Sequence, residues 1–577
     1  MPVLAVEQIL PDTTLGLVSG LGDLLVVEFG GRRVLYALSR AESQLLEIDV
    51  AADGTLSLAG GLSLSGSVSA GAVEGLAYGA GGLLLAGYPE VHGQQVSLSA
   101  TGVLGSQQAI SGVGSLHAPV AVDVGGVPVL VSGQSSGGLA HFTHSGSSYA
   151  SGVGLEDLPD RFLADVAASV SFVAGGTQYL ATASATEHGV NVAAVSASGL
   201  TQAGALGAQD SLPISTPADL NVLQRLDETL LIVASSGTSS LSVVSVEAGV
   251  PALADHIYDN AETRFQGAGS VATTSYGDFG FIATGGAEGG VSLLTVLPGG
   301  RLVHLDSVME DETVPLDQIA ALDMFSVGNM LHIVAGSAVE AGVTRLDYDL
   351  SELGAVALAA PDATGVVGTS GDDQLIGSVV GETLSGLAGD DILLDGRGND
   401  ILIGGTGADL FVFTADGQSD QVADFERGVD RLDLSAFDFL YDVSQLSIAP
   451  TANGAVLSFG SETIFVTTSD GAPLTALELS TEDILNVDRP PFLLIGREIV
   501  GTSADEVLIG GPGDDTIAGA GGADSLVGGP GLDVLLGSSG NDTLDGQGDR
   551  DTLIGGVGDD LIFGGDGGDV IYGDDWV

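Results

Sequence analysis

Acidic residues recur every nine positions between Gly501 and Tyr572, near one end of a chain of 577 residues. Each of eight consecutive nonads carries an acid at its sixth position, Leu or Ile at its eighth, and glycines among its first four. Rows of carboxylates repel one another unless a cation lies between them, and Ca²⁺ accepts carboxylate and backbone carbonyl oxygens. The pattern therefore indicates cation binding by the sixth-position residues Glu506, Asp515, Asp524, Asp533, Asp542, Asp551, Asp560 and Asp569.

The nine-residue period predicts a parallel β-roll, in which six residues form a turn and three form a short strand. Glycine suits the turn because it adopts positive φ at low steric cost. The eighth-position side chains are expected to point inward and to stack into a narrow apolar core. Two nonads complete one turn of the roll, so we expect carboxylates eighteen residues apart to be neighbours, as for Asp515 with Asp533 and Asp524 with Asp542.

A second array of five nonads covers residues 368–412. Its second unit departs from the pattern, because Val380 replaces a glycine and Glu382 replaces Asp. The first unit of the longer array, GTSADEVLI, is irregular in the same way and carries Glu506. We expect Glu382 and Glu506 to be the weaker ligands. The sixth-position acids of this second array are Asp373, Glu382, Asp391, Asp400 and Asp409.

Both arrays resemble the RTX calcium-binding repeat, GGxGxDxUx, most clearly in GGPGDDTIA (510–518) and GGVGDDLIF (555–563). The resemblance implies several Ca²⁺ ions, each held between adjacent loops by the sixth-position Asp and loop carbonyl oxygens. A metal-free Gly/Asp solenoid and a disordered acidic tail are the alternatives. The resemblance also implies export by a type I secretion apparatus, with folding driven by Ca²⁺ outside the cell.

The segment between the arrays contains DQVADFERGVDRLDLSAFDF (420–439). It resembles the region beside the RTX roll in serralysin-type secreted proteins, with Arg431 where that family usually has Lys. Alternating runs that follow it predict strands, so we interpret the segment as a capping β-structure with a short helix. The chain contains no HExxH motif, so the resemblance implies scaffold and export without peptidase activity. The matching residues are Asp420, Asp424, Phe425, Gly428, Asp430, Asp433, Leu434, Ser435 and Phe437.

A different rhythm occupies about residues 10–360. A strand that ends in small residues recurs seven times, followed by a turn and a second strand, with anchor residues 46 to 51 positions apart. Four short strands per unit at this spacing are typical of a β-propeller blade. The region resembles lactonase-like and YVTN-type propellers in rhythm, and an array of β-sandwiches is the alternative. The seven anchors are Ser39, Gly87, Gly133, Ser184, Ser235, Gly285 and Gly336.

Polar residues near the starts of the predicted inner strands could line the central channel of this propeller. Such a ring could bind a cation or a polar ligand, although a solvated rim without a ligand is the favoured interpretation. His141 and His144, in HFTH, are predicted to lie on one side of a strand or turn, without further metal ligands. No GxSxG nucleophile elbow stands out, so no catalytic residue is predicted. The ring comprises Glu74, His117, Asp165, Asp219, Gln266 and Gln318.

The composition limits the classes of partner. The chain has 76 acidic and 14 basic residues, all of the latter Arg, and a formal net charge of −62. Such a charge argues against binding to nucleic acid or to an anionic membrane surface. The chain has no Cys and no apolar run long enough for a membrane span. The first residues, MPVLAVEQILPDTTLG, lack the features of a signal peptide, which agrees with the export implied by the RTX resemblance.

These observations predict an all-β protein. We expect a β-propeller over 1–360, a first RTX β-roll over 361–412, a serralysin-C-terminal-like β segment over 413–487, a Pro-containing linker over 488–500, and a second RTX β-roll with a C-terminal secretion signal over 501–577. The expected protein is extracellular or on the surface of a Gram-negative bacterium. Its propeller would bind an unidentified extracellular partner, a second copy of the chain included. A self-assembling surface-layer or filament subunit and a propeller hydrolase or lactonase are the alternatives, and a protein without enzymatic activity is favoured.

Overall fold

A computed structural model describes most of the chain as β-structure. The described residues are 2–573 without 12–19, 40–42, 65–74, 80–81, 93, 111, 114, 146–147, 160, 208–211, 227, 312, 361–363, 490–497, 511–514, 549 and 566–567. The chain divides into two compact units. Unit 1 comprises Met1–Ala205 and Ile214–Pro491, and unit 2 comprises Leu206–Pro213 and Phe492–Val577.

Seven four-stranded antiparallel blades form a β-propeller in unit 1, as the 46- to 51-residue rhythm predicted, and strand pairing joins the second and third blades into one eight-stranded sheet. The strand named β1 (Ala5–Leu10) comes first in the chain but belongs to the last blade. Blade 1 contains β2 (Leu21–Phe29), β3 (Arg32–Ser39), β4 (Gln44–Val50) and β5 (Leu56–Ser63), and blade 2 contains β6 (Gly75–Gly79), β7 (Gly82–His92), β8 (Gln94–Leu98) and β9 (Leu104–Ala109). Blade 3 contains β10 (Ser115–Val124), β11 (Val127–Gly133), β12 (Leu139–Ser145) and β13 (Ser148–Ser151), and blade 4 contains β14 (Val166–Ala174), β15 (Thr177–Ser184), β16 (Gly189–Val195) and β17 (Leu200–Leu206).

Blades 5 to 7 complete the ring. They contain β18 (Pro217–Arg225), β19 (Glu228–Ser235), β20 (Ser240–Glu247), β21 (Val250–Tyr258); β22 (Ser270–Tyr276), β23 (Phe279–Gly285), β24 (Gly290–Val296), β25 (Leu302–Met309); and β26 (Ile319–Val327), β27 (Met330–Ser337), β28 (Val343–Asp349). Strand β1 pairs antiparallel with β28, from Ala5 opposite Asp347 to Leu10 opposite Val343, so the seventh blade joins both ends of the propeller. The repeat pattern in the sequence did not indicate this closure.

The seven anchor residues all lie in the second strand of a blade, at or near its end except for Gly87, which lies in the middle of β7. These strands have apolar side chains on both faces because each blade packs between two others. In β19, every residue from Thr229 to Ser235 is buried. Long apolar runs without alternation are expected of a strand that is covered on both sides.

The first RTX array and the segment that follows it form a second β-structure within unit 1. One parallel sheet contains β29 (Leu353–Leu358), β31 (Asp372–Ile376), β33 (Ile392–Leu394), β35 (Leu410–Val412) and β37 (Arg431–Asp433). The facing sheet contains β30 (Gly365–Val367), β32 (Thr383–Ala388), β34 (Ile401–Thr406), β36 (Ser419–Phe425), β40 (Glu462–Thr468), β39 (Gly454–Phe459) and β38 (Ser447–Thr451). The predicted short helix is a single 3₁₀ turn, Val443–Gln445. The eighth-position residues of the array are fully buried between the sheets, as predicted: Leu375, Leu384, Leu393, Leu402 and Phe411.

Apolar and charged contacts join this roll to the propeller within unit 1. Leu297 and Val303 pack with Ile376, Ile392 and Leu394 in one apolar cluster. Beside it, buried charges alternate in sign. Asp433 contacts Arg301 and Arg489 at 3.1 and 3.4 Å, and Arg489 also pairs with Asp255 at 3.0 Å.

Unit 2 contains the second RTX roll. One parallel sheet comprises β41 (Glu498–Val500), β43 (Thr516–Ala518), β45 (Val534–Ser539), β47 (Thr552–Val557) and β49 (Val570–Tyr572). The other comprises β42 (Val507–Ile509), β44 (Ser525–Pro530), β46 (Thr543–Gly548) and β48 (Leu561–Phe563). Partners lie eighteen residues apart, as in Leu526 opposite Leu544. The core is the predicted ladder of eighth-position residues, of which Ile517, Leu526, Leu535, Leu544 and Leu553 are fully buried.

Candidate metal centre

The sixth-position carboxylates form hydrogen-bonded rows along the rolls. In most loops one oxygen of the acid accepts the backbone N–H of the sixth-position residue one turn earlier. The Asp391 N–H donates to Asp409 Oδ1 at 3.0 Å, and the Asp524 N–H donates to Asp542 Oδ1 at 2.9 Å. The same bond links Asp515 to Asp533, Asp533 to Asp551, Asp542 to Asp560, and Asp551 to Asp569. The predicted eighteen-residue neighbours are therefore in contact.

The other carboxylate oxygen is buried without a hydrogen-bond donor in many of these loops. A buried, ionised oxygen without a partner is costly, so its retention at equivalent positions calls for a counter-charge. The acids with such an Oδ2 atom include Asp391, Asp400, Asp409, Asp524, Asp542 and Asp560.

In several of these loops the oxygen lies beside the first glycine of its own loop and a carbonyl of the next turn. A Cβ atom added to Gly555 would lie 2.6 Å from Asp560 Oδ2 and 2.6 Å from the Gly573 carbonyl oxygen. At Gly519 the same two distances, to Asp524 Oδ2 and the Gly537 carbonyl oxygen, are 2.5 and 3.0 Å. Glycine thus leaves open a small space lined by a carboxylate and a carbonyl oxygen. Oxygen ligands of this kind fit Ca²⁺.

The electrostatics of the first roll disfavour charge in the absence of a cation. Burial raises the pKa of Asp391, Asp400 and Asp409 to about 7, and neighbouring acids add to the effect. Burial likewise raises the pKa of Asp542 in the second roll. In the part of the chain that the structure describes, no three His, Asp or Glu side chains converge as a metal-binding group. Each loop would therefore use carboxylate oxygens together with backbone carbonyls.

Two sixth-position acids have both oxygens bonded by their own loops. Both oxygens of Asp373 accept bonds from Thr369, and both oxygens of Glu506 accept bonds from Thr502. Glu382 accepts bonds from the backbone N–H and the hydroxyl of Ser378 through Oε1 alone, and its Oε2 atom is buried without a donor. These acids occupy the predicted rows but differ from the others in their hydrogen bonding.

The carboxylate rows continue into the serralysin-like segment, which the nine-residue period did not reveal. The Asp400 N–H donates to Asp420 Oδ1 at 3.0 Å, and the Asp409 N–H donates to Asp430 Oδ1 at 3.1 Å. These partners are 20 and 21 residues apart instead of eighteen, so a fixed period misses them. The family resemblance had marked both acids, and that was the usable signal.

Among the described residues, the acids and the histidine of the proposed channel ring do not converge as a metal-binding group. Asp219 is half-buried, accepts the Leu220 N–H, and accepts the Val271 N–H of the next blade at 2.9 Å. Asp219 thus links its own blade to the next one. Burial raises the pKa of Asp219. Asp165 is exposed, and Gln318 lies just before β26 with a left-handed backbone. Glu74 lies outside the described residues.

The prediction that His141 and His144 share one side was wrong. Both lie in β12, and a separation of three residues in a strand places them on opposite faces. His141 is buried with Nε2 2.9 Å from the Ser196 carbonyl oxygen. His144 packs on Tyr149, with ring centroids 4.9 Å apart.

Two family models match the chain over its C-terminal part. The RTX calcium-binding nonapeptide repeat matches residues 500–535, 527–561 and 545–575. The Peptidase M10 serralysin C-terminal model matches residues 354–468. The chain therefore carries calcium-binding RTX repeats and a serralysin-type C-terminal domain, and both are typical of secreted bacterial proteins. No curated protein matches the chain. No described helix is long and apolar enough to cross a membrane.

Solved structures resemble part of the chain at low identity. BBS1N in complex with ARL6DN is 10% identical over 60% of this chain and 97% of that chain, with a TM-score of 0.41. A protein from Lactobacillus plantarum is 12% identical over 52% and 94%, with a TM-score of 0.37. A candidate 6-phosphogluconolactonase from Bacteroides uniformis is 14% identical over 50% and 85%, with a TM-score of 0.39. Likeness at this level carries no argument about function.

Proposed function

We propose that this is a secreted RTX protein whose rolls fold on Ca²⁺ outside the cell and whose propeller presents a binding or adhesion surface. The observation that carries the proposal is the row of buried carboxylate oxygens without hydrogen-bond donors. The proposed ligands are the sixth-position residues Asp391, Asp400, Asp409, Asp515, Asp524, Asp533, Asp542, Asp551, Asp560 and Asp569, each with loop carbonyl oxygens.

Calcium would act here as a folding ligand. The carboxylates need a counter-charge to remain ionised and packed, so at neutral pH the rolls lose stability without the metal. Metal-binding free energy becomes folding free energy when no preformed site exists in the unfolded chain. Scarce cytosolic Ca²⁺ would leave the arrays unfolded during export through a type I apparatus of a Gram-negative cell, and they would fold on reaching a calcium-rich exterior.

Hydrogen exchange on the full chain tests the folding step. In Ca²⁺ we expect the row amides, such as the Asp524 N–H, to be protected. In EGTA they should exchange rapidly, while amides of β19 and β23 in the propeller stay protected in both conditions. Mg²⁺ serves as the control cation. Equal protection of the row amides in EGTA and Ca²⁺ would contradict the proposal.

The binding role of the propeller needs a separate experiment. Fluorescently labelled full-length protein, incubated with intact bacterial cells, should associate with them in Ca²⁺ and be released in EGTA. If labelled protein that is folded in Ca²⁺ does not associate with any cell surface, the adhesion part of the proposal fails and the calcium part stands.

Self-assembly is the second candidate function, and the ends of the unit 2 sheets favour it. Strands β48 and β49 end their sheets among the described strands, and unpaired edges are templates for pairing with another chain. Leu561, Phe563 and Ile571 on these strands are about half exposed. Light scattering and negative-stain microscopy at high protein concentration, with Ca²⁺ and with EGTA, distinguish this candidate. A monomer at high Ca²⁺ concentration counts against it.

A further inference from the structure

The second residue of each nonad adopts one of two backbone conformations. In most loops it has positive φ, even where it is not glycine, as for Leu387 at 82° and Ser538 at 74°. Left-handed backbone is unfavourable for residues with a side chain, so its recurrence at one position indicates a constraint. The left-handed second residues are Leu387, Gly396, Gly405, Ala520, Gly529, Ser538, Gln547, Gly556 and Gly565.

Three described loops lack this conformation. Their second residues are Thr369, Ser378 and Thr502, all of which carry a hydroxyl and none of which has positive φ. These loops begin the two arrays. Thr is β-branched, which makes the left-handed region especially unfavourable for it.

The backbone conformation decides what reaches the sixth-position acid. In the loop of Thr502, the backbone N–H donates to Glu506 Oε2 at 2.6 Å and the hydroxyl to Glu506 Oε1 at 2.9 Å. In the loop of Thr369, the N–H and the hydroxyl donate to Asp373 at 2.5 and 3.0 Å. Two donors from the loop itself thus occupy the carboxylate.

Left-handed loops show the opposite arrangement. The second residues Leu387, Ala520 and Ser538 leave an oxygen of their sixth-position acids without a donor. Those acids are Asp391, Asp524 and Asp542. Ser538 is informative because it has a hydroxyl, as Ser378 does, but a left-handed backbone. A left-handed second residue therefore accompanies a free oxygen, and a serine hydroxyl alone does not fill it, since the loop of Ser378 also leaves Glu382 Oε2 without a donor.

We propose that the second residue of the nonad selects between a metal-binding loop and a self-capped loop. The loops of Thr369 and Thr502, which begin the two arrays, are metal-free caps, in which an N–H and a hydroxyl take the place of the cation. Asp373 and Glu506 are then structural acceptors instead of Ca²⁺ ligands. This inference rests on the proposed function, since it assumes that the remaining carboxylates bind Ca²⁺. Under this proposal each array begins with a loop that binds no metal, and the metal sites follow it along the roll.

Calcium counting by native mass spectrometry of the full chain tests the proposal. Ser538→Thr adds one methyl group to a metal-binding loop, and it should remove about one Ca²⁺ per chain. Ser538→Ala is the matched control, because alanine adopts the left-handed region in the loop of Ala520, and it should keep the wild-type count. An unchanged count in Ser538→Thr overturns the proposal.

The reverse change provides a gain of binding. Thr502→Gly combined with Glu506→Asp restores the consensus in a capped loop and should add about one Ca²⁺ per chain. Glu506→Asp alone keeps the threonine cap and should leave the count unchanged. A folded double variant without the additional ion overturns the proposal, as does an additional ion in Glu506→Asp alone.

Hydrogen exchange of the wild-type chain provides a readout without substitution. The Thr502 N–H donates to Glu506. Relative to the other amides of its loop, it should be protected from exchange to the same extent in limiting and in saturating Ca²⁺. The Asp524 amide should gain protection as Ca²⁺ rises. A calcium-dependent Thr502 amide contradicts the cap. A wild-type chain that binds no Ca²⁺ at all instead refutes the proposed function, so the two failures are distinguishable.

Discussion

At the scale of single residues, the sixth-position aspartate serves two purposes through its two oxygens. One oxygen holds a backbone N–H of the neighbouring turn, and the other lines the space beside the first glycine. Hydrogen bonding alone would be satisfied by Asn, whereas a cation site requires the charge. Replacing Asp by Asn therefore distinguishes a side chain that only accepts a backbone N–H from one that also binds a cation.

Asp542→Asn tests this division. The amide retains an acceptor but loses the charge, so we expect about one Ca²⁺ fewer per chain and a lower thermal midpoint in Ca²⁺. In EGTA the variant should be at least as stable as the wild type, because an uncompensated buried charge has been removed. Calcium counts and thermal unfolding measure both effects.

Asp559→Asn is the matched control, since it makes the same change at an exposed fifth position of a nonad. It should keep the wild-type calcium count. Equal counts in the two variants would show that Asp542 is not a ligand.

Most of the candidate site could be predicted from the sequence, because the nine-residue spacing of the acids is directly visible there. The acids beyond the array, Asp420 and Asp430, were not recognised as part of the rows because inserted residues break the period. The cap of Asp373 was also missed, because its basis is a backbone angle at Thr369 that no residue pattern states. The histidine pair failed for a simpler reason: strand geometry places residues three apart on opposite faces.

At the scale of elements, the rolls depend on ladders of one side chain per strand. Leu535 is fully buried between its neighbours in the unit 2 ladder. The roll is only two sheets thick, so a cavity at this position has few other side chains to fill it.

Leu535→Ala should lower the free energy of unfolding of unit 2 by about 2–5 kcal/mol. Urea unfolding of the full chain in saturating Ca²⁺, followed by hydrogen exchange of unit 2 peptides, measures the loss. Leu532→Ala is the control, because Leu532 is 56% exposed and lies in a loop. A similar small effect in both variants would contradict the ladder as the source of stability.

Strand lengths were underestimated at this scale. The repeat predicted three-residue strands, and several are six residues long, such as β44 (Ser525–Pro530) and β47 (Thr552–Val557). The extension arises because the first residues of the following nonad also pair with the next turn, as Gly529 does with Gln547. Glycine-rich positions look like turn in sequence although their backbones continue the ladder.

At the scale of the whole molecule, unit 1 is held together by apolar packing and by a buried charge network. Burial opposes ionisation of Asp433, but Arg301 and Arg489 outweigh it and lower the pKa of Asp433 from 3.8 to about 2. A carboxyl whose pKa is lower in the folded state stabilises above its unfolded pKa. That contribution is lost as the pH falls from about 4 to about 2.

Asp433→Asn leaves two buried arginines with one remaining carboxylate, Asp255. We expect unit 1 to lose about 3–5 kcal/mol at neutral pH, since breaking a buried pair leaves an uncompensated charge. The variant should also lose part of the dependence of stability on pH between about 4 and 2. Denaturant unfolding at several pH values measures both changes. Asp470→Asn, in an exposed pair with Arg427, should cost about 0–1 kcal/mol and is the control. Equal losses in the two variants would contradict the network.

The closure of the propeller has a consequence for the order of events during synthesis. Ala5 pairs with Asp347, so the ring cannot close until nearly the whole of the propeller has left the ribosome. Until then β1 has no partner strand, and pairing between such distant segments is slow. Closure of the propeller therefore depends on how much of the chain has been synthesised, whereas the proposed folding of the rolls depends on the supply of Ca²⁺.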